Sequence, residues 1–332
     1  MKAITLDRSQ PSQLLLTNVQ EVPLTKGEVR VLVKAAALNH RDEWCRQGLY
    51  PNIKDGVILG SDGAGIVIEV GEEVNENWLQ KEVIINPALN WGINQKVQST
   101  SFEILGMPRN GTLAETVIVP ADRLHEKPSH LTWEEAAALP LAGLTAFRAV
   151  TYQGDIQAGD SLLVTGFGGG VAQFAVQFGL AIGASVSTSS SSDVKLKKAK
   201  DLGVVNAFNY HNDNWISKAN EETSGFDVII DGAVGDTLNQ LIQVAKPGGK
   251  IVFYGATLGN PSKLEARKIF WNQLKILGTT MGSDQDFEGM VSLVREHRIK
   301  PIIDQVFQFE QAAEAFDKMR EGKQMGKIVL LP

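Results

Sequence analysis

Cysteine is nearly absent from this sequence, because Cys45 is the only one among 332 residues. No disulfide can form within the chain, and a structural zinc site built from cysteine thiolates is excluded. We expect Cys45 itself to be a bystander rather than a nucleophile. The sequence also lacks a signal-peptide core and any apolar run long enough to cross a bilayer. These absences predict a cytoplasmic protein with no membrane partner.

A concentration of positive charge is likewise missing. The 32 Lys and Arg residues are outnumbered by 38 Asp and Glu residues, which gives a formal net charge of −6. No stripe dense in Lys and Arg stands out, so we expect no nucleic-acid partner. The hydrophobic share of 43% is enough for a sizeable core, and the length is typical of two domains. A soluble enzyme that acts on a small molecule fits this composition.

What the sequence does contain is a run of glycines in the segment Ser161–Ala172, which reads SLLVTGFGGGVA. Its apolar start predicts a strand, and an apolar helix is expected from Val171 to about Leu180. A nucleotide pyrophosphate needs backbone N–H groups that approach it without an intervening Cβ, and it gains from the positive end of a following helix. A flexible glycine-rich turn is the alternative, but the flanking strand and helix favour a nucleotide-phosphate cradle.

An acidic residue is missing where an NAD-binding fold would place one. In NAD-binding folds, a carboxylate about twenty residues after the glycines, at the end of the next strand, accepts hydrogen bonds from the ribose hydroxyls of NAD. Here Ala184–Thr188 is followed by Ser189–Lys195, which reads SSSSDVK. Hydroxyls and the Lys195 ammonium suit a 2′-phosphate, and Asp193 is expected to lie in the following turn. The segment predicts NADP(H) rather than NAD(H), with a polar loop and a solvated Lys195 as the alternative.

Strands and helices alternate through the middle third of the sequence. Apolar strands at Val204–Phe208, Phe226–Ile230 and Lys250–Gly255 are separated by helical segments. Apolar strands flanked by helices predict a parallel sheet covered on both faces, which is a doubly wound α/β domain. Ligands of such a sheet bind beyond the carboxyl ends of the strands, which makes Gly232 and Gly255 candidate cofactor contacts.

The N-terminal third has a different pattern. Glu28–Lys34 alternates apolar and polar residues, as do parts of Asp62–Val70 and Thr112–Pro120, with Pro and Gly between these segments. This period of two predicts an antiparallel β domain. The C-terminal part returns to two helices and a last strand at Lys327–Leu330.

Several motifs, taken in order, resemble those of the medium-chain dehydrogenase/reductase superfamily. They are Asn39–Gly48, Leu59–Gly65, Ala136–Pro140 with Gly143–Ala146, Gly166–Ala172, and Gly326–Val329. Within that superfamily the chain looks like the zinc-independent quinone oxidoreductase branch, although the last glycine of that branch's loop is Ala172 here. The resemblance implies an α/β fold with a Rossmann doubly wound parallel sheet plus an N-terminal GroES-like antiparallel β domain.

The resemblance also implies domain boundaries. We expect a GroES-like catalytic and substrate domain over residues 1–123 and a Rossmann NADP(H)-binding domain over residues 124–270. Residues 271–332 would then complete the Rossmann sheet and return to the catalytic domain.

Zinc-dependent members of the superfamily hold their catalytic metal with two cysteines and a histidine. By the resemblance, Asn39 stands for the first cysteine, Ser61 for the histidine, and Ala142 for the second cysteine. The lobe Pro87–Gly111, where relatives carry a four-cysteine structural zinc, contains no cysteine. Amide and hydroxyl groups are poor replacements for thiolate and imidazole. We therefore expect no zinc and no metal ligands in this chain.

The resemblance further implies a set of site residues. The expected contacts to substrate or nicotinamide are Asn39, His40, Asp42 and Tyr50. The expected cofactor contacts are Gly168, Gly169, Gly170 and Val171 along the pyrophosphate, Ser190, Lys195 and Tyr210 at the 2′-phosphate, Asn39 and Thr145 near the nicotinamide, and Lys327 as a weaker candidate. His40 could relay a proton, because its ordinary pKa is near neutrality. His40 and Asp42 could instead form a partial metal site, but hydrogen bonding is the favoured role.

The leading functional prediction is a zinc-independent, NADPH-dependent oxidoreductase that transfers hydride to a quinone or an α,β-unsaturated carbonyl. Such acceptors are electron-poor, so positioning beside the cofactor and excluding water supply much of the rate. Two alternatives stay open: an alcohol or aldehyde dehydrogenase of the same superfamily, and a non-catalytic NADPH-binding protein. Relatives pair through the last strands of the nucleotide sheet, and the apolar segment Ile276–Met281 predicts a homodimer of this kind.

Overall fold

The computed structural model describes all residues from 1 to 332. The strands are β1 (Lys2–Leu6), β2 (Leu14–Asn18), β3 (Glu28–Ala37), β4 (Asp62–Val70), β5 (Glu82–Ile85), β6 (Ala88–Leu89), β7 (Glu103–Ile104), β8 (Thr116–Pro120), β9 (Leu124–Glu126), β10 (Ser161–Val164), β11 (Ser185–Ser190), β12 (Asn206–Asn209), β13 (Phe226–Asp231), β14 (Ala245–Phe253), β15 (Lys275–Gly278), β16 (Ile303–Gln308) and β17 (Lys327–Leu331).

The helices are α1 (His40–Arg46), α2 (Trp133–Ala138), α3 (Pro140–Arg148), α4 (Gly170–Ile182), α5 (Asp193–Asp201), α6 (Trp215–Thr223), α7 (Leu238–Val244), α8 (Ala266–Trp271), α9 (Asp284–Glu296) and α10 (Ala312–Glu321). Not one of them combines the length and the apolar character that a membrane crossing requires.

The chain divides into two compact units, of which the first comprises residues 1–142 and 282–332 and the second comprises residues 143–281. The predicted boundaries, after residues 123 and 270, both lie earlier in the chain than the boundaries of these units, which follow residues 142 and 281. The first boundary moves because β9 pairs with β5 and α2 packs against β3 and β4, which keeps these elements in the antiparallel unit. The second moves because β15 pairs with β14 and so extends the parallel sheet.

The second unit is built on a six-stranded parallel sheet with the strand order β12-β11-β10-β13-β14-β15. The order reverses at β10, whose neighbours are β11 on one side and β13 on the other. Leu163, Ile229 and Ile251 are completely buried within the sheet, as expected for apolar strands covered on both faces. This topology confirms the predicted Rossmann sheet and places the reversal directly before the glycine-rich segment.

The first unit contains a seven-stranded sheet with the path β16-β17-β3-β4-β5-β9, and β8 also pairs with β3. All its pairings are antiparallel except that of β16 with β17. The long central strand β3 ends at Ala37, which pairs with Asp62 at the start of β4 and with Val329 in β17. The residues that follow β3 therefore lie beside the first residues of β4 and β17.

Candidate active site

The glycine-rich loop between β10 and α4 has a backbone that glycine adopts most easily. Gly166 has a φ of +67° and Gly168 a φ of +129°. Gly169 precedes α4 in an extended conformation, and no side chain caps the first turn of this 13-residue helix. The N–H groups of that turn can therefore donate to an acceptor, which also gains from the positive helix end. The four predicted pyrophosphate contacts, from Gly168 to Val171, all lie in this loop and first turn.

Lys195 in the first turn of α5 extends its side chain over the glycine-rich loop. A Cβ atom built on Gly168 would lie 2.7 Å from Lys195 Cδ and 2.9 Å from Lys195 Nζ. The ammonium group therefore supplies a positive charge directly beside the loop backbone. A cradle that a Cβ would fill, together with a lysine at its edge, fits the pyrophosphate of a nicotinamide cofactor.

The other two residues predicted at the 2′-phosphate also lie together. Ser190 ends β11 and is buried, and its carbonyl oxygen accepts a hydrogen bond from the Tyr210 N–H at 3.2 Å. The Tyr210 side chain is 43% exposed. Asp193 begins α5, where its Oδ1 accepts a hydrogen bond from Asn209 Nδ2 at 2.8 Å. Asp193 thus lies past the end of β11, and its carboxylate already has a partner in the turn.

Gly232 and Gly255 follow neighbouring strands and approach each other closely. A Cβ on Gly255 would lie 3.0 Å from the Gly232 carbonyl oxygen, and a Cβ on Gly232 would lie 2.6 Å from the Tyr254 hydroxyl oxygen. Asp231, buried at the end of β13, fixes this loop by accepting two backbone N–H bonds at 3.0 and 2.7 Å. Asp231 and Tyr254, which shape this loop, were not singled out from the sequence, although a carboxylate at the end of an apolar strand pointed to Asp231.

Thr145 and Cys45 are both buried. The Thr145 hydroxyl in α3 lies 4.0 Å from Met281 Sδ, within sulfur hydrogen-bond distance.

Burial raises the pKa of the Cys45 thiol to about 12. A thiol with this pKa stays protonated at neutral pH, which agrees with the prediction that Cys45 is no nucleophile.

In the first unit, Asn39, Asp62 and Lys327 form a buried triad of hydrogen-bonded side chains. Lys327 Nζ donates to Asn39 Oδ1 at 2.6 Å and to Asp62 Oδ2 at 2.9 Å. Asn39 Nδ2 in turn donates to the same Asp62 Oδ2 at 2.9 Å. Asp62 is completely buried and Lys327 is 2% exposed, whereas Asn39 is 7% exposed. Asp62 was not predicted as a site residue, although it lies within the quoted motif Leu59–Gly65.

A second buried cation lies at Ser61. Arg41 NH1 donates to Ser61 Oγ at 2.6 Å and to the Leu105 carbonyl at 2.8 Å, and Arg41 NH2 donates to the Met107 carbonyl at 3.1 Å. Ser61 Oγ also donates to the Leu105 carbonyl at 2.8 Å. The guanidinium stacks over the Tyr50 ring, 4.8 Å from its centroid. The half-buried Tyr50 ring therefore packs against Arg41 rather than standing free.

Asp42 lies at the start of α1 and is completely buried. Its Oδ2 accepts a hydrogen bond from the Asn39 N–H at 2.8 Å, and its Oδ1 has Arg41 NH1 at 3.9 Å. Desolvation by burial is the largest cause that raises the pKa of Asp42 to about 6, partly offset by the Arg41 charge. This buried carboxylate therefore holds the backbone of Asn39.

His40 keeps exposed surface, although protein surrounds its imidazole on most sides. Desolvation, and after it the Lys327 ammonium, lower the pKa of His40 below its ordinary value. The imidazole is therefore mainly neutral at pH 7, in the form that both accepts and donates a proton.

The side chains at the three positions that the resemblance assigns to zinc ligands do not fit a zinc ion. The Asn39 amide is hydrogen-bonded at both ends and faces an ammonium, the Ser61 hydroxyl faces a guanidinium, and Ala142 has no donor atom. No group of three or more His, Cys, Asp or Glu side chains is placed to hold a metal ion anywhere in residues 1–332. Zinc is bound by cysteine thiolates, neutral imidazoles and carboxylates, and fixed cations repel it.

Two family models match the chain. An alcohol dehydrogenase GroES-like domain matches residues 25–129, and a zinc-binding dehydrogenase domain matches residues 170–296. The first confirms the predicted GroES-like domain. The description of the second names zinc binding, whereas the side chains of Asn39, Ser61 and Ala142 do not fit a zinc ion.

Relatives match along nearly the whole chain. A zinc-type alcohol dehydrogenase-like protein YogA of Leptosphaeria maculans is 36% identical over 92% of this chain and 90% of its own. An NAD-dependent alcohol dehydrogenase of Sulfurisphaera tokodaii is 30% identical over 95% of this chain and 96% of its own. A crystal structure of an NAD-dependent alcohol dehydrogenase superposes with a TM-score of 0.95 at 35% identity and covers 100% of both chains. With its paired GroES-like and Rossmann units, the chain belongs to the medium-chain dehydrogenase/reductase superfamily of oxidoreductases.

Proposed function

We propose that this chain is a zinc-independent, NADPH-dependent oxidoreductase that reduces a quinone or an α,β-unsaturated carbonyl. The observation that carries the proposal is the pair of buried cations, Lys327 on Asn39 and Arg41 on Ser61, at the positions of zinc ligands. Zinc-assisted alcohol oxidation needs a Lewis acid that binds the alkoxide. An electron-poor acceptor accepts hydride without one, so the missing metal shell favours this substrate class.

The preference for NADP(H) is supported by the charges around the glycine-rich loop. Lys195 lies against Gly168, and Asp193 is engaged with Asn209, so the region offers a cation and no unpaired acid. Relatives such as that of Sulfurisphaera tokodaii are named NAD-dependent, and we nevertheless propose NADP(H) because of the charges that this chain's own residues place around the loop. Gly168 to Val171 would hold the pyrophosphate, and Ser190, Lys195 and Tyr210 the 2′-phosphate.

NADPH supplies the hydride when it is bound. The protein's own part is to orient the acceptor, exclude water and deliver a proton to the reduced oxygen. Asn39 offers an N–H donor, and His40, whose lowered pKa keeps it mainly neutral and which retains exposed surface, relays the proton. Asp42 holds the backbone of Asn39, and Arg41 packs on Tyr50, so both act by positioning their neighbours.

An alcohol or aldehyde dehydrogenase is the second candidate. It is favoured by the 35% identical alcohol dehydrogenase structure with a TM-score of 0.95 and by the zinc-binding description of the matched domain. That reaction would require a metal shell that the side chains of the first unit do not form.

The test is NADPH oxidation, followed by absorbance, with a panel of quinones and enones and with a chelator present throughout. Turnover that the chelator leaves unchanged is the expected result. No turnover with any acceptor, together with chelator-sensitive alcohol oxidation, would establish the second candidate instead. Tight NADPH binding without turnover of either kind would leave a cofactor-binding protein.

We also propose a homodimer formed through β15. This strand is the last of the parallel sheet, so one of its edges is unpaired within the chain. Phe270 and Trp271, in the helix just before it, are 67% and 79% exposed. Burying such aromatic side chains against a second copy would be favourable. Light scattering at micromolar protein is expected to give the dimer mass, and a monomer mass would contradict the proposal.

A further inference from the structure

We propose that Lys327 occupies the place of the catalytic metal of zinc-type relatives, as a fixed cation, and that with Asp62 it is a positioning residue for the Asn39 amide. This inference concerns the site of the metal-free reductase proposed above, and its kinetic test rests on that proposed function. It assigns Lys327 a different role from the predicted cofactor contact.

Strand register brings the triad together. Ala37 at the end of β3 pairs with Asp62, the first residue of β4, and with Val329 of β17. The Leu38 N–H donates to the Ile328 carbonyl at 2.9 Å, which sets the start of β17 beside the residue before Asn39. Asn39, Asp62 and Lys327 therefore lie at one end of three adjacent strands, held by backbone hydrogen bonds rather than by a flexible loop.

The charges within the triad are balanced. Lys327 Nζ lies 2.9 Å from Asp62 Oδ2, and the remaining Asp62 Oδ1 accepts the Leu141 N–H at 2.7 Å. Burying two charges costs desolvation energy even when they pair, so such a pair is a poor device for stability alone. A buried pair of this kind instead imposes a unique arrangement on what it touches, which here is Asn39.

The triad decides which way the Asn39 amide faces. Oδ1 must point to the Lys327 donor and Nδ2 to the Asp62 acceptor, because the reverse orientation would oppose donor to donor and acceptor to acceptor. One hydrogen on Nδ2 is left over. Donation from an ammonium to Oδ1 draws electron density from the amide and strengthens that remaining N–H as a donor.

Exposure separates the member that meets a ligand from the two that support it. Asn39 keeps 7% of its surface exposed, whereas Asp62 has none and Lys327 has 2%. Lys327 therefore acts through Asn39, and the polarised N–H takes the electrophilic part that a metal ion plays in zinc-type relatives. A buried cation in this position also repels Zn²⁺.

The first experiment compares Lys327→Met with Lys327→Met/Asp62→Asn, which leaves no unpaired charge buried. Lys26→Met, at a lysine whose side chain is 65% exposed, is the matched surface control. We expect kcat for the acceptor to fall roughly tenfold or more in both test variants, while the NADPH Kd from fluorescence titration stays within about threefold. A rise of the NADPH Kd by about tenfold with kcat retained would make Lys327 a cofactor contact and overturn the proposal.

The second experiment does not need any activity. Zinc ligands are introduced as Asn39→Cys/Ser61→His, with Lys327 either kept or changed to Met, and zinc retained after dialysis against buffered Zn²⁺ is measured. The Met version is expected to bind zinc at least about tenfold more tightly. Equal affinity would show that the ammonium does not occupy the metal position. Should wild type reduce no acceptor, the reductase proposal fails while this comparison and the NADPH Kd still decide the role of Lys327.

Discussion

Replacing Lys195 by alanine removes an ammonium group that lies against the glycine-rich loop, where Lys195 Nζ comes within 2.9 Å of a Cβ position on Gly168. A hydrogen bond between an ammonium and a phosphate contributes about 1.5 to 3 kcal/mol. The Kd for NADPH should therefore rise roughly 10- to 150-fold. The Kd for NADH should stay within about twofold, because NADH lacks the 2′-phosphate to which we assign Lys195.

The assay is fluorescence titration of each cofactor at two ionic strengths. Lys197→Ala is the matched control, since Lys197 lies on the same helix and is exposed. The difference between wild type and Lys195→Ala should shrink at high salt, because salt screens a partly exposed charge pair. An equal loss for NADPH and NADH, or an unchanged NADPH Kd, would refute the assignment of Lys195 to the 2′-phosphate.

Three further predictions concern the loop and the buried charges. Gly168→Ala should lower the free energy of unfolding by about 1 to 3 kcal/mol and weaken both cofactors, because its φ of +129° strains a Cβ-bearing residue; chemical denaturation and titration check this. Asp62→Asn should cost about 3 to 5 kcal/mol by leaving the Lys327 ammonium unpaired, and adding Lys327→Met should restore most of that loss in urea melts. Burial raises the pKa of Asp42 from 3.8 in the unfolded chain to about 6, so the folded state holds this proton more tightly. The contribution of Asp42 to the free energy of unfolding is therefore full below about pH 4 and is lost as the pH rises to about 6. The free energy of unfolding falls by about 3 kcal/mol over this range. Asp42→Asn should flatten that slope, and an unchanged slope would mean that Asp42 does not carry it.

The parts of the fold that depend on local pattern were predictable. The glycine-rich loop follows a strand and precedes a helix, and the structure has that strand at Ser161–Val164 and that helix at Gly170–Ile182. Alternation along Glu28–Lys34 predicted a strand, which the structure extends to Ala37. These elements follow from the period of the apolar residues, which is a property of adjacent positions.

The charged triad was not predictable in the same way. Asp62 and Lys327 are 265 positions apart, and only the register of β3 with β4 and β17 brings them together. Lys327 was expected at the cofactor and Asp62 was not expected in the site, because a sequence does not reveal which buried lysine meets which buried carboxylate. The stacking of Arg41 on Tyr50 was also not predicted, because the sequence does not show that this guanidinium faces that ring.

We propose that this superfamily member works without zinc. The most direct measurement determines zinc content and NADPH-dependent quinone or enone reduction on the same preparation, made in zinc-supplemented medium and then treated with chelator. We expect substoichiometric zinc before treatment and an unchanged rate after it. About one zinc per chain, with activity that is lost on its removal and restored on its return, would instead establish a zinc enzyme.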